Sequence, residues 1–242
     1  MKNKIIILFV LLLPVTLLSL GVDKKVVERI INSDDAEITE TIKIINDETK
    51  MKDISISAYN WPDSSKPLMD TIIVSSDKFK LKVRETKQVQ IDFYLGARFQ
   101  EKIFMIYIKN FNDDTLAQNT AGLGQALGIT YYFINQNAKT DMNIEYTTVD
   151  LQNRKLSGSI VYHNNGERHL RPEIILKTFN NNELVEERKL KTVVPLFVQQ
   201  EEKTSFILEK IYYPGNYTLQ CEIYNLSLVD NQISLIKYFS KE

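Results

Sequence analysis

DTIIVSSDKFKLKVRETKQVQIDFYL, residues 70–95, holds a short apolar strand, a Phe-x-Leu step, a polar turn and then a strictly alternating strand. In its last part Val89, Ile91, Phe93 and Leu95 point one way, while Gln88, Gln90, Asp92 and Tyr94 point the other. That is the period of a half-buried strand in a sandwich.

The same grammar extends in both directions. Upstream, Val26, Val27, Ile30 and Ile31 predict a first strand, and Ile38, Ile42 and Ile44 a second that ends at the Asn46-Asp47 turn. Ile54, Ile56 and Ala58 alternate with Ser55 and Ser57 up to Trp61, ahead of a polar loop at 62–67. Downstream, IFMIYI at 103–108 is apolar on both faces, as a central strand between two sheets would be. Residues 110–128 have no clear period yet carry Gly122, Gly124 and Gly128, three of the eight glycines. An interval of that length in a compact domain predicts a functional segment or a flexible loop. ITYYFI at 129–134 closes the first domain, and the polar run 135–141 reads as a linker.

The second half repeats the pattern, with strands expected at 144–151, 156–162, 174–179, 184–190, 204–208, 217–223 and 233–239. Asn164-Asn165-Gly166 predicts a turn with positive φ, Asn180-Asn181-Asn182 a hairpin, and Pro214-Gly215 the centre of a type II turn. The run from Gly215 through Tyr217 to Leu219 resembles a tyrosine corner, with Leu219 where antibody domains carry a cysteine. No segment keeps an apolar helical period over a dozen residues, so the expected fold class is all-β, two immunoglobulin-like β-sandwich domains in tandem.

Residues 1–21 begin with Lys2 and Lys4, run through an apolar segment at 5–18 and finish in Ser19-Leu20-Gly21. This is the pattern of a secretory signal cleaved after Gly21. Pro14 and a length below the ~20 residues of a membrane span leave an uncleaved anchor as the lesser reading. The expected divisions are therefore 1–21 signal peptide, 22–137 first sandwich and 138–242 second, in an exported, extracytoplasmic protein. With 30 basic against 31 acidic residues there is no basic footprint for nucleic acid. Cys221 is the only cysteine, so stability must come from apolar cores, and the thiol reads as a small buried hydrophobe.

Catalytic and metal-binding patterns are missing. His163 and His169, the two histidines, lack a third ligand at zinc spacing and read as surface positions around a hairpin. There is no nucleophile elbow, Ser-x-x-Lys pair or His-Glu-x-x-His helix, and the Gly122–Gly124 motif lacks the context of a phosphate loop. The adjacent acidic pairs Asp34-Asp35, Asp113-Asp114 and Glu201-Glu202 would point to opposite faces of a strand or into solvent. No enzyme, cofactor, metal or small-molecule substrate is expected.

Asn46, Trp61, the segment 72–91, EKIFMIYI at 101–108, HNNGERHLRP at 163–172, VVPLF at 193–197 and YPGNYTL together resemble the PapD-like periplasmic pilus chaperone superfamily. The resemblance spans nearly the whole chain beyond the signal segment, in short motifs. It implies a boomerang-like pair of sandwiches in the periplasm that lends an edge strand to secreted or fimbrial protein subunits. Main-chain hydrogen bonds would give affinity, and alternate apolar side chains would fill the subunit's groove. An outer-membrane assembly protein is a further implied partner. In typical members two basic residues bind the subunit's terminal carboxylate: Arg29 matches the first, whereas the second falls near Thr130 and is missing. The lent strand would pass through Ala121, Leu123 and Gln125, with apolar alternation restored at Leu127 and Ile129. The expected partner-binding residues are thus Arg29, Leu123, Leu127 and Ile129. The alternative is a structural or adhesive cell-surface protein that uses the same sandwiches without chaperone activity.

Overall fold

The computed structural model describes residues 20–32, 37–61, 71–96, 98–110, 126–192, 194–210, 212–213, 216–226 and 239–241. Among the described residues every regular element is a strand. One sheet has the order β1 (Leu20–Val22), β3 (Glu37–Asn46), β7 (Thr86–Tyr94), β5 (Ile72–Val74). It faces a five-stranded sheet in the order β2 (Val26–Ile31), β9 (Ala126–Asn135), β8 (Glu101–Asn110), β4 (Lys52–Asn60), β6 (Lys78–Leu81). The alternation that opened the sequence reading is realised on β7, where Val89, Ile91 and Phe93 are fully buried. Across the gap, Phe104 of β8 and Tyr131 and Phe133 of β9 surround Phe93, with ring centroids 5.6, 4.8 and 4.9 Å from it. Such offset and edge contacts add about 1 kcal/mol per pair beyond area burial. IFMIYI proves central, held between β9 and β4.

The second core lies between β10 (Met142–Gln152), β11 (Lys155–Asn164) and β14 (Glu201–Ile207) on one side and β13 (Glu183–Leu190), β12 (Pro172–Asn180), β15 (Tyr217–Asn225) and β16 (Phe239–Lys241) on the other. Leu219 and Cys221 of β15 alternate into it, and Tyr217 meets Tyr212 edge to face at 5.1 Å. The Asn180–Asn182 hairpin forms with Asn181 and Asn182 at φ 48° and 67°. A second two-residue hairpin turn at Asn153-Arg154, φ 49° and 61°, carried no glycine and escaped the sequence reading. Leu123, the Pro214-Gly215 turn and most of the expected strand 233–239 lie outside the described residues.

Leu20 and Gly21, read from the sequence as the end of the signal segment, form β1 with Val22 and pair with Asn46, Ile45 and Ile44 of β3, and Leu20 is buried. Two expectations need correction. The Asn164-Asn165-Gly166 turn does not rest on positive φ. Gly166 is required by proximity instead, since a Cβ there would sit 2.8 Å from the Asp141 nitrogen and the Lys139 oxygen. His169 is not a surface residue: it is 3% exposed.

A shared device closes one strand of each sandwich, β3 in the first and β11 in the second. Asn46, at the end of β3, is fully buried; its Nδ2 donates to the carbonyls of Lys50, Leu81 and Lys82 at 2.9, 3.2 and 2.9 Å, and its Oδ1 accepts from Glu48 N–H. Asn164, at the end of β11, donates to the carbonyls of Arg168 and Leu196 at 2.9 and 3.0 Å and accepts from Gly166 N–H at 3.0 Å. Each amide satisfies loop groups that would otherwise be buried without partners.

Asn164→Ala should therefore cost about 3 kcal/mol, the penalty for orphaned buried groups, seen as a lower urea midpoint with unchanged slope. A midpoint equal to wild type would remove the asparagine from this role. Burial pushes the Cys221 thiol up to about 12. Iodoacetamide at pH 8 should leave the folded chain unlabelled and modify it fully in urea, whereas labelling in native buffer would contradict the core placement.

Candidate functional site

β9 carries Leu127 and Ile129, and its two edges are used differently. Its odd-numbered residues exchange hydrogen bonds with β8, as Asn135 N–H does with the Gln100 carbonyl at 2.8 Å. Its even-numbered residues face the other edge, where Thr130 N–H donates to the Lys25 carbonyl at 3.1 Å and Gln136 N–H to that of Ile31 at 2.9 Å. β2 covers that edge in parallel register from Val26 opposite Thr130 to Ile31 opposite Asn135. β9 begins earlier, at Ala126. By the alternation of a strand, the main-chain N–H and C=O groups of Ala126 and Gly128 point off the sheet beyond the start of β2. Among the described residues no main-chain group pairs with them there.

The expected binding residues divide along this strand. Ile129 is fully buried in the first core, so its side chain is already used by this molecule. Leu127 is half-buried and packs on the same core from its rim. Leu123 lies outside the described residues. Arg29 is opposite Phe133, four residues along β9 from Ile129, which is about 13 Å at strand rise. Its side chain is 51% exposed and its Nε reaches Glu40 of β3 at 3.1 Å, where Lys24 also binds at 2.8 Å. Arg29 therefore braces the two sheets of its own sandwich, and the structure does not bring it to Leu127. Thr130, where a second basic residue was expected, hydrogen-bonds Met105 Sδ at 3.5 Å.

Because neighbours on a strand face opposite ways, Glu28 points away from Arg29, towards the second domain. There it meets Arg171, whose Nε donates to Glu28 Oε2 at 3.3 Å. His169 lies alongside. Its backbone N–H donates to Glu101 Oε2 at 2.7 Å, its ring Nδ1 contacts the other oxygen of Glu101, and its Nε2 is 3.7 Å from Glu28 Oε2. The imidazole stacks on Tyr132 of β9 at 4.1 Å, and the Arg171 guanidinium sits 5.2 Å from the same ring. The side chains of His169, Glu28 and Glu101 are 2%, 1% and 6% exposed. Burial pulls the His169 pKa down, but hydrogen bonds and charge from Glu101 and Glu28 outweigh it and hold it above the ordinary 6.5.

Sequence reasoning missed this cluster, although it quoted HNNGERHLRP. The partners of His169 and Arg171 are 68 and 143 residues away in the chain, so no local pattern announces them. The one local hint is the density of cationic groups, Arg168, His169 and Arg171, in a chain with two histidines.

No family model matches the sequence, and no curated protein matches it. Solved structures do. A chain from a chaperone–tip adhesin complex of CFA/I fimbriae biogenesis superposes with a TM-score of 0.54 at 10% identity, covering 91% of this chain and 98% of that one. The class 5 fimbriae chaperone CfaA gives 0.53 at 12% identity, with the same 91% and 98% coverage. Likeness over nearly the full length of both partners, with parallel β2 on β9 and two all-β units, places this chain in the two-domain fold of the PapD-like fimbrial chaperones.

Proposed function

We propose that this chain is a non-enzymatic periplasmic chaperone or assembly factor that binds secreted or fimbrial-type protein subunits by β-strand addition. The observation that carries the proposal is the start of β9, where no strand among the described residues covers the main-chain donors and acceptors of Ala126 and Gly128, beside the half-buried Leu127. An incomplete sandwich laid against that edge would extend the five-stranded sheet and shield its own open core, with Leu127 at the seam. Ile129 contributes by fixing the strand from inside. Arg29 keeps β2 in place through Glu40, which makes it a support for the edge. The shared fold with fimbrial chaperones, one of them seen in complex with a tip adhesin, supports the same partner class. Export would follow from the signal pattern at 1–21, with cleavage upstream of Leu20 so that β1 is retained. N-terminal sequencing of the exported protein tests that position, and a mature chain starting at Val22 would refute it.

The edge itself is tested by proline. Ala126→Pro and Gly128→Pro each remove one N–H from the free edge and leave the β8 ladder intact, because that ladder uses the odd-numbered residues. Tagged protein crosslinked in its native envelope should carry a small secreted partner, with recovery falling about fivefold for each proline, the equivalent of one lost hydrogen bond of about 1 kcal/mol. Leu127→Asp should reduce recovery further. If no protein is crosslinked, or the prolines leave recovery unchanged, strand addition at β9 is wrong. Exposure of the chain to protease added outside intact cells would instead favour a surface module.

A further inference from the structure

We propose that His169 is a pH-operated latch between the two sandwiches: protonated, it bridges Glu28 and Glu101 and holds the domains docked, and its deprotonation loosens them. The groups that face the imidazole come from every element packed on it, namely Glu28 of β2, Glu101 of β8 and Tyr132 of β9, with Arg171 on Glu28 from the histidine's own segment and Arg168, also buried, as its chain neighbour. Glu28 and Glu101 bring two carboxylates to a place almost closed to water, where Arg171 pairs with Glu28. An imidazolium there sets positive charge between them, its Nδ1 against Glu101 and its Nε2 3.7 Å from Glu28 Oε2. A neutral ring carries one N–H, so it serves one carboxylate and turns a lone pair to the other. Glu28 and Glu101 belong to the first domain and His169 and Arg171, which pair with them, to the second, so this pairing is a property of docking itself. The latch does not rest on partner binding.

The sign follows from the direction of the shift. Docking raises the His169 pKa above its ordinary 6.5. The latch is therefore fully set below about 6.5 and is lost as pH rises through the raised value, with the docking constant changing about tenfold for each unit of difference. His163 provides the internal control. It is the other histidine of the chain, partly exposed on β11, and pairs with Glu201 at 2.7 Å within the second domain.

Single-molecule energy transfer between dyes on Lys43→Cys and Lys203→Cys, both exposed sites on different domains, reads docking in the full exported chain without any partner. The undocked population should grow at least several-fold between pH 6 and pH 9. H169Q should flatten that dependence, and H163Q should keep it. An unchanged pH dependence in H169Q, its loss in H163Q, or no pH dependence in the parent chain would each overturn the latch. Should H169Q fail to fold, the imidazole C2 proton of His169 in the unsubstituted chain decides: an NMR titration midpoint above 6.5 that coincides with the energy-transfer change supports the latch, and a midpoint at or below 6.5 overturns it.

Discussion

Six residues of β2 laid parallel along the C-terminal half of β9 set the terms for the rest of the molecule. The pairing closes one edge of the five-stranded sheet from Thr130 onward and stops there, which leaves Ala126 and Gly128 facing outward. It also fixes which way β2 turns its charges. Val27 and Ile31 must enter the core, so Arg29 emerges at the sandwich rim towards Glu40 and Glu28 is presented to the other domain. A one-residue slip would reverse all of these, turning Val27, Arg29 and Ile31 outward together and driving Glu28 into the core. Register strength here comes from the core, because the inward residues opposite β2 are Tyr131 and Phe133, part of the aromatic group around Phe93.

The junction between the domains obeys a different economy. Its apolar contribution is the stack of His169 and Arg171 on Tyr132, and its polar contribution is ionic. Buried ion pairs add little net stability compared with well-packed apolar groups, but breaking one partner away leaves a charge without solvent or countercharge.

How much of this was legible follows from the range of the interactions involved. Period-two alternation is local, so Val89, Ile91 and Phe93 announced β7 directly from the sequence, whereas 103–108, read as apolar on both faces, buries only Phe104, Ile106 and Ile108 and leaves the other face partly exposed. The strand end at Asn46 and the asparagine hairpin were readable because turn residues and positive φ are encoded within a few residues, whereas the bonds of Asn46 to the Leu81 and Lys82 carbonyls, 35 and 36 residues away, were not. Gly166 was flagged for the wrong reason, since its constraint is the backbone at Lys139 and Asp141, which only the tertiary fold brings near. The site was legible only as a strand. Leu127 and Ile129 were placed on β9, but which of them is consumed by the core depends on the opposing sheet. Arg29 was chosen by spacing to Asn46, and a spacing does not say which face a residue takes; Glu28, beside it, takes the face towards the second domain.

That reversal constrains how any partner could be held. Where a basic residue was expected to receive a terminal carboxylate, the chain turns Glu28 inward, already paired with Arg171, and Thr130 stands in place of the second cation. Under the proposed strand addition, affinity would come from the β9 edge and the apolar rim. Two residues with a donor and an acceptor each give four hydrogen bonds, about 4 kcal/mol in total at about 1 kcal/mol apiece, which alone corresponds to a Kd near about 1 mM. Burying the exposed part of Leu127 adds about 1 kcal/mol more. A client that fills only this edge would dissociate readily, so tight holding requires the client's own apolar groove to close over the rim. Affinity would then depend on how incomplete the client is, and a client whose sandwich has been completed elsewhere would have no groove left to offer.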